Sequence, residues 1–528
     1  MAIFAKAKML ARYGWGLREF LRHPLSTDDC RRLVEAQRRQ RGSNLLNILE
    51  RAVFASKTNP YRRLCEHAGI ELGDIQQWVR ADGVESALER LYEAGVHLRS
   101  EEFKGRQPVR RPGLELTVRP ADLDNPLLAS AYRGQTGGSR GAVTRIAIDL
   151  DLLSYDAAQN ALADEALGLD DRVGAQWRPV PPASAALNNA LRYARVGRGL
   201  ERWFSQTTRV AGLEGFGHAL FGASTIRASR LLGNPLPVPE HVPPNRAQHI
   251  ARWLVEQKRA GRSVLFDTFA SGAVRICLAA QECGLDIADT VFRVGGEPFT
   301  AAKFEVVTRS GCRAISRYSL NEVGNVGLPC GAAEPPDAVH LLTDKVAVLR
   351  REESVGDSGE SVGMLHLTTL LPASPKLLLN VATNDYGVLS DAPCGCPLYD
   401  AGLKLRLHSI RSVDKLTSEG MTFAGSALLE LIDKVLPARF GGHPTDYQLV
   451  EHEVGGLPKV ELVVSPRVGK IDPDAVAETV LGVLGSHHVA WRMAADQWRA
   501  SETLRVVRRE PHLTHSAKIL PLHVLPES

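Results

Sequence analysis

The pattern of apolar and polar positions divides the chain into a helical beginning, a long middle of alternating elements and a smaller end. Apolar residues recur at helical spacing within 4–21 and 45–54. In the middle, short apolar runs alternate with amphipathic segments, which is typical of strand–helix units around a parallel sheet. We therefore predict an α/β fold, with a large N-terminal domain of parallel-rich sheets and helices and a small α+β C-terminal domain.

The same changes in pattern predict where the parts of the chain begin and end. We expect a helical leader at 1–110, a large domain at 111–410 and a small domain at 411–528, because 528 residues are too many for one core. The leader's role is structural or partner-binding. In the small domain, the pattern predicts strands at 447–450 and 460–464 and a helix at 474–484.

The stretch from residue 292 to 324 is the most informative part of the chain. An apolar run leads into the sequence GGEP at 295–298, an amphipathic segment at 300–309, the apolar pair 314–315 and a polar loop that ends at Glu322. This order predicts strand, turn, helix, strand and loop, with both loops at the carboxyl ends of parallel strands. Ligands bind at that edge of open α/β sheets.

A second glycine-rich stretch, RGQTGGSRGAVT, occupies residues 133–144. Its backbone N–H groups and its hydroxyls suit an anion such as phosphate. The stretch lacks the Lys-Ser/Thr ending of a Walker loop, which disfavours a kinase or a motor ATPase. A polar hairpin turn is the alternative interpretation.

Composition and charge exclude several classes of protein. A net charge of +4 with scattered basic residues does not favour nucleic-acid binding. No apolar run approaches the roughly 20 residues that span a bilayer, and the first residues lack a signal-peptide core. We expect a cytoplasmic protein without a membrane partner, and a homodimer is compatible with the sequence.

Eight cysteines in a long chain without a secretion signal indicate reduced thiols rather than a disulfide framework. Cys394 and Cys396 form a Cys-x-Cys knuckle with Pro and Gly, which can direct two thiolates at one point. Cys330 and His340 can complete a tetrahedral zinc site. Ordinary packing of these cysteines in the core is the alternative.

The GGEP loop, followed by Tyr318-Ser319-Leu320-Asn321-Glu322, resembles the nucleotide-binding core of adenylate-forming enzymes, and most of all their phenylacetate–coenzyme A ligase branch. Ser319 and Asn321 depart from the Gly and the Thr or Ser that are usual there. The resemblance implies that Gly296, Glu297 and Pro298 wall the adenine and acyl pocket. It also implies that Tyr318 packs on adenine and that Glu322 holds magnesium.

Other elements fall in the same family order. Thr136, Gly137, Gly138 and Ser139 resemble the family's phosphate loop, although Arg140 replaces a Thr. Asp385, expected at a strand end, resembles the carboxylate that holds the ribose hydroxyls. Arg411 resembles the arginine that contacts ribose or phosphate, and Asp414 resembles the hinge residue.

The last element lies near the C-terminus. Lys518 resembles the lysine that reaches the α-phosphate and the acyl carboxylate, with Ala517 in place of the usual Gly. Members of the phenylacetate ligase branch also carry a Cys, His, Cys-x-Cys zinc site, so the resemblance implies a structural zinc on Cys330, His340, Cys394 and Cys396.

The chemistry implied is attack of a carboxylate on the α-phosphate of magnesium-bound ATP, with release of pyrophosphate and formation of an acyl-adenylate. Coenzyme A is the first expectation for the acceptor. An amine or another small nucleophile of specialised biosynthesis is an alternative, because Asn321 and Arg140 depart from the family pattern. A binding or scaffold protein that has lost catalysis is a second alternative, and the identity of the acid stays open.

Overall fold

The computed structural model describes most of the chain. The described residues are 13–128, 131–135, 145–180, 185–207, 213–332, 335–354, 361–412, 416–418, 421–423, 431–442, 446–455, 457–486, 489–512 and 522–524. Among these residues, no helix combines the length and the apolar character that a membrane crossing requires.

The chain begins with helices. They are α1 (13–22), α2 (Thr27–Ile48), α3 (Pro60–His67), α4 (Leu72–Glu93) and α5 (Ser100–Phe103), with a π-helical turn at Leu49–Phe54. Ser26 begins α2 in a reciprocal capping box with Asp29. Asn59 caps α3 by accepting a hydrogen bond from the Tyr61 N–H at 3.0 Å. Within the described residues, the helical beginning predicted from the apolar spacing is confirmed.

These helices pack on the large sheets rather than standing apart. The Tyr61 hydroxyl donates to the Leu377 carbonyl at 3.1 Å, and the Asn380 amide donates to the Leu88 carbonyl at 2.8 Å. Leu98 pairs with Val381 in an isolated bridge. The helical segment therefore belongs to the same core as the strands that follow it, while the domain limits at 110 and 410 stay a prediction.

Two short hairpins follow. β1 (Val109–Arg111) pairs with β2 (Leu114–Leu116), and β3 (Ala131–Gln135) pairs antiparallel with β4 (Arg145–Asp149). The glycine-rich stretch joins β3 to β4, and its residues 136–144 lie outside the described part of the chain.

A six-stranded parallel sheet forms the first half of the large core. It contains β5 (Val173–Trp177), β6 (Leu200–Ser205), β7 (Glu240–His241), β8 (Val264–Thr268), β9 (Val291–Val294) and β10 (Arg313–Ser316), in the order β10-β9-β8-β5-β6-β7. The accompanying helices are α6 (Leu150–Ala166), α7 (Ala185–Arg195), α8 (Leu213–Leu231), α9 (Ala247–Arg259), α10 (Ala270–Glu282) and α11 (Ala301–Arg309). The predicted strand, helix and strand between 292 and 315 are confirmed as β9, α11 and β10.

A seven-stranded antiparallel sheet forms the second half. It contains β11 (Tyr318–Leu320), β12 (Gly324–Pro329), β13 (Val339–Leu341), β14 (Val346–Ser354), β15 (Ser361–Thr369), β16 (Val381–Ser390) and β17 (Arg406–Ser412), in the order β11-β12-β13-β17-β16-β15-β14, with α12 (Pro397–Asp400) between β16 and β17. The prediction of a loop from Tyr318 was wrong: β11 begins there, because its backbone pairs with β12 across a tight turn.

The C-terminal part holds a smaller four-stranded sheet, after the short hairpin of β18 (Leu416–Ser418) and β19 (Met421–Phe423) and the helix α13 (Leu436–Phe440). Its strands are β20 (Tyr447–Val454), β21 (Leu457–Val464), β22 (Leu504–Arg508) and β23 (Leu522–Val524), with helices α14 (Pro473–Ser486) and α15 (Val489–Ser501). Glu453 of β20 accepts a hydrogen bond from Thr300 at 2.7 Å and pairs with Lys303 at 3.1 Å. The small sheet thus contacts the start of α11.

We expect Tyr61→Phe to destabilise the protein by about 1 kcal/mol, because it removes a buried hydrogen bond between the helical segment and the sheet region. Tyr399→Phe is the matched control, since the Tyr399 hydroxyl donates to the Asp391 carbonyl near the surface, and it should change stability by less than about 0.5 kcal/mol. Urea midpoints of both variants measure the difference. Equal midpoints would show that this contact does not support the core.

Candidate functional site

The candidate site lies where the parallel sheet passes into the antiparallel sheet. A Cβ on Gly295 would lie 2.5 Å from the Arg317 carbonyl oxygen, so only glycine fits there. Gly296 has φ +86°, a left-handed conformation that favours glycine. The loop after β9 therefore lies directly against the residue that precedes Tyr318.

Tyr318 and Asp385 meet across the antiparallel sheet. The Tyr318 hydroxyl donates to Asp385 Oδ2 at 2.8 Å, and the Ser412 hydroxyl donates to Asp385 Oδ1. Burial, and then the Asp385 charge, raise the pKa of Tyr318 far above its usual range. Asp385 was expected at a strand end, and this was wrong: it lies inside β16, directly opposite Ser412 of β17. Asn384 before it has φ +62°, which marks an irregularity in the strand.

Glu297 of the GGEP loop faces the beginning of α10. Its carboxylate accepts hydrogen bonds from the Ser271 N–H at 2.8 Å and from the Ser271 hydroxyl at 3.0 Å. A carboxylate is favoured at a helix N-terminus, where backbone N–H groups are free. Pro298 follows, and its carbonyl accepts from the Lys303 ammonium at 2.9 Å. The loop is therefore held on both sides by helices of the large core.

The remaining predicted residues of this region lie around the Tyr318–Asp385 pair. Asn321 is exposed and Glu322 is half-buried, both in the turn between β11 and β12. The negative charge of Glu322 acts on Tyr318 and helps to raise its pKa. Arg411 lies next to Ser412 on β17, and its guanidinium contacts Asp337 at 3.2 Å.

Six predicted residues lie outside the described part of the chain. They are Thr136, Gly137, Gly138 and Ser139 of the glycine-rich stretch, the hinge candidate Asp414 and Lys518.

The four predicted metal ligands come together. The ligand atoms of Cys330, His340, Cys394 and Cys396 all lie within 4.8 Å of one another. The Sγ atoms of Cys330 and Cys394 are 3.8 Å apart, and Cys394 Sγ is 3.7 Å from His340 Nε2. Zn–S bonds of about 2.3 Å in a tetrahedron place two sulfurs about 3.8 Å apart, so zinc fits this donor set.

Neighbouring backbone groups orient these ligands. His340 Nδ1 lies 2.6 Å from the Leu403 carbonyl, which leaves Nε2 facing the thiols. The Gly331 N–H donates to Cys396 Sγ at 3.1 Å. A hydrogen bond with Cys330, followed by bonds from His340 and from backbone N–H groups, lowers the pKa of Cys396, which favours a thiolate.

A buried ion network below the GGEP loop was not predicted from the sequence. Arg293 donates to Asp267 at 3.0 Å and to Asp164 at 2.9 Å, and the Tyr193 hydroxyl donates to Asp267 at 2.9 Å. Burial opposes ionisation of Asp267, but Arg293 and then Arg317 lower its pKa well below the usual range. The sequence feature that could have indicated this network is Arg293, a charged residue inside an otherwise apolar strand.

Comparison with known proteins indicates which fold the chain has. No protein-family model and no curated protein matches the sequence. A solved structure of 2-hydroxyisobutyryl-CoA ligase, in complex with 2-HIB-AMP and CoA in the thioesterification state, matches with a TM-score of 0.53 at 14% identity, covering 93% of this chain and 90% of that chain. The chain shares the fold of this acyl-CoA ligase. The predicted α/β fold class is confirmed, with a parallel sheet and helices followed by a smaller C-terminal sheet.

Two further solved structures match with lower TM-scores. The same ligase in its postadenylation state gives a TM-score of 0.43 at 13% identity, covering 92% of this chain and 88% of that chain. A long-chain-fatty-acid-CoA ligase from Archaeoglobus fulgidus gives 0.30 at 13% identity, covering 78% of this chain and 66% of that chain.

We expect Asp267→Asn to destabilise the protein by about 3–5 kcal/mol, because it leaves Arg293 and Arg317 buried with less negative charge. Asp286→Asn is the matched control. Asp286 pairs with Lys258 at 2.8 Å on the surface, so its loss should leave the stability nearly unchanged. Thermal unfolding followed by circular dichroism measures both. A similar small loss for the two variants would contradict a supporting role of Asp267.

Proposed function

We propose that the protein activates a carboxylic acid with ATP, releasing pyrophosphate and forming an acyl-adenylate, and then transfers the acyl group to a thiol or another nucleophile. The observation that carries this proposal is the Tyr318–Asp385 hydrogen bond beside a glycine loop, at the junction of the two sheets. In a chain with the fold of an acyl-CoA ligase, this junction offers an aromatic ring, a carboxylate and an open backbone to one nucleotide. The resemblance to the phenylacetate–coenzyme A ligase branch supports the same assignment.

In this proposal the described residues divide the nucleotide between them. Tyr318 and the backbone of Gly296-Glu297-Pro298 take the adenine, and Asp385 takes the ribose hydroxyls. Asn321 lies at the edge of that pocket. Arg411, which contacts Asp337 at 3.2 Å, turns toward ribose or phosphate when nucleotide is bound.

Groups of opposite charge act on the phosphates and on the acid. Glu322 holds the magnesium ion that accompanies ATP. Thr136, Gly137, Gly138 and Ser139 donate hydrogen bonds to the phosphates. Lys518 stabilises the negative charge that develops as the carboxylate oxygen attacks the α-phosphate. Catalysis in this scheme is mainly positioning and charge neutralisation.

Coenzyme A is the acceptor that we propose. The structure of the acyl-CoA ligase that shares this fold contains both an acyl-adenylate and CoA. Transfer to a thiol keeps the acyl group activated as a thioester. In this proposal the small sheet, which contacts α11 through Glu453, takes part in the change from adenylate formation to transfer.

We also propose that Cys330, His340, Cys394 and Cys396 bind a structural zinc ion. Four protein ligands leave no open coordination position, so the ion would stabilise the fold rather than act on substrate. Cys394 and Cys396 lie between β16 and β17, the strands that carry Asp385 and Ser412. Holding this connection against β12 and β13 would fix the register of both strands at the site.

Pyrophosphate release with ATP, magnesium and a panel of carboxylic acids tests the activity. We expect release with at least one acid, and a decrease of about a hundredfold or more in Lys518→Ala, because this variant loses a cation beside the developing charge. Lys470→Ala is the control, since Lys470 is exposed, and its rate should match the original protein. If the original protein releases no pyrophosphate with any acid of the panel, a binding or scaffold role is favoured.

Elemental analysis of protein purified without chelator tests the metal. We expect about one zinc per chain, because the four donors satisfy one tetrahedral ion. Cys394→Ser should lose most of the zinc and lower the melting temperature. Cys283→Ser, which replaces an exposed cysteine, should retain zinc. Absence of zinc from the original protein as purified, together with a melting temperature that Cys394→Ser leaves unchanged, would indicate ordinary packing of these cysteines instead.

A further inference from the structure

Three buried guanidinium groups lie beside the GGEP loop. Arg178 follows β5 and Arg317 follows β10, so both stand at the carboxyl edge of the parallel sheet. Arg192 of α7 lies close enough to Arg178 and Arg317 for its charge to act on both. Arg178 is 5% exposed and Arg317 is 7% exposed, and the Arg192 side chain is 11% exposed. The Arg317 carbonyl is the atom that Gly295 faces.

Hydrogen bonds indicate that the three arginines lie in one region. Arg178 donates to the Thr268 carbonyl at 2.7 Å, at the end of β8. Arg317 donates to the Asn189 side chain at 3.4 Å. Asn189 is three residues before Arg192 in α7, on the same face of that helix. The arginines therefore converge between the ends of the central strands and α7.

The nearby carboxylates are already engaged. Asp267 makes its short contacts, at 3.0 Å, with Arg293, and it reaches Arg317 only at 3.4 Å. Glu297 accepts both hydrogen bonds of Ser271. Arg317 is therefore only partly neutralised by its neighbours.

The same holds for the other two arginines. Asp156 pairs with Arg192 at 2.8 Å, but it also binds the buried ammonium of Lys345. The Nε atoms of Arg178 and Arg192 are buried, and among the described residues neither has a hydrogen-bond partner. Buried donors without a partner are costly, and a ligand that accepts from them would remove that cost.

The electrostatics agree with this geometry. Burial, and then repulsion by the neighbouring arginines, lower the pKa of Arg317 to about 9. Burial and repulsion by Arg293 and Arg192 also lower the pKa of Arg178, although Asp267 and Glu297 oppose them. The region carries an excess of positive charge, which an anion would relieve.

We propose that Arg178, Arg192 and Arg317 bind a second negatively charged group on the acid substrate, so that the protein activates dicarboxylic acids or acids with an equivalent anionic group. This inference rests on the proposed function and names the class of acid. Guanidinium groups suit the task because their planar donors match a carboxylate in pairs.

The position of the cluster favours the acid over the nucleotide. Arg317 donates to Asn189 of α7 and forms an ion pair with Asp267 of β8, whereas the next residue, Tyr318, donates to Asp385 of β16 in the antiparallel sheet. The arginine cluster and the Tyr318–Asp385 pair thus begin at consecutive residues, which contact different elements. An acid whose reacting carboxylate meets the nucleotide can therefore extend its far end toward the arginines.

The experiment compares each diacid with a derivative that lacks one of its negative charges. Succinate, glutarate, adipate and isophthalate are each paired with their monomethyl ester, and kcat/KM is measured by pyrophosphate release. We expect at least one diacid to exceed its ester by about tenfold or more, because a site built for a charged group rejects an analogue that lacks it. In Arg178→Met and Arg192→Gln this ratio should fall toward one. Arg172→Met, which changes an arginine bound to the Asp289 carbonyl on the surface, should keep the ratio.

Three outcomes would overturn the inference, and they differ in what else they affect. Pyrophosphate release with the esters or other monocarboxylates, without a preference for any diacid, would overturn this inference but not the proposed function. An increase in the KM for ATP in Arg178→Met, with an unchanged diacid ratio, would assign the cluster to phosphate and also overturn it. No release with any acid would overturn both this inference and the proposed function. Because the ratio is measured first in the original protein, misfolding of one variant does not decide the result.

Discussion

The site depends on one buried carboxylate. Asp267 of β8 holds Arg293 of β9 and reaches Arg317 after β10, while the Tyr193 hydroxyl of α7 donates to it. Buried charges are tolerated only in such paired arrangements, and each partner that moves leaves another uncompensated. The ends of β8, β9 and β10 are therefore fixed relative to one another. The GGEP loop, which follows β9, and β11, which follows β10, consequently begin at fixed positions.

Fixed strand ends explain why the two sheets can share a site. Gly295, in the loop after β9, lies against the Arg317 carbonyl with no room for a side chain. The end of the parallel sheet therefore lies directly beside the residue that precedes β11 of the antiparallel sheet. Tyr318 then reaches Asp385, and Ser412 on the neighbouring strand completes the contact. Each sheet supplies what the other lacks: one provides an open loop at a strand end, and the other provides polar side chains on its face.

Local patterns in the sequence predicted what local interactions decide. The periodicity of residues 292–315 predicted β9, α11 and β10. Pairings between distant residues were not predictable in this way. Asp385 lies inside a strand because it faces Ser412, 27 residues later. Arg293 finds Asp164, 129 residues earlier, and nothing in the spacing of either residue indicates the other. The Cys-x-Cys knuckle indicated a metal site from the residues alone, and the resemblance to a known family supported the choice of Cys330 and His340 as the other two ligands.

Lys303 links two parts of the molecule that are far apart in sequence. Its ammonium donates to the Pro298 carbonyl at 2.9 Å and pairs with Glu453 of β20 at 3.1 Å, and it is almost fully buried. If the small sheet left α11, this ammonium would keep the loop carbonyl but lose its counter-charge. Separation of the small sheet from α11 would therefore require hydration of Lys303, and a ligand that shifted Pro298 would act on this contact without touching the small sheet.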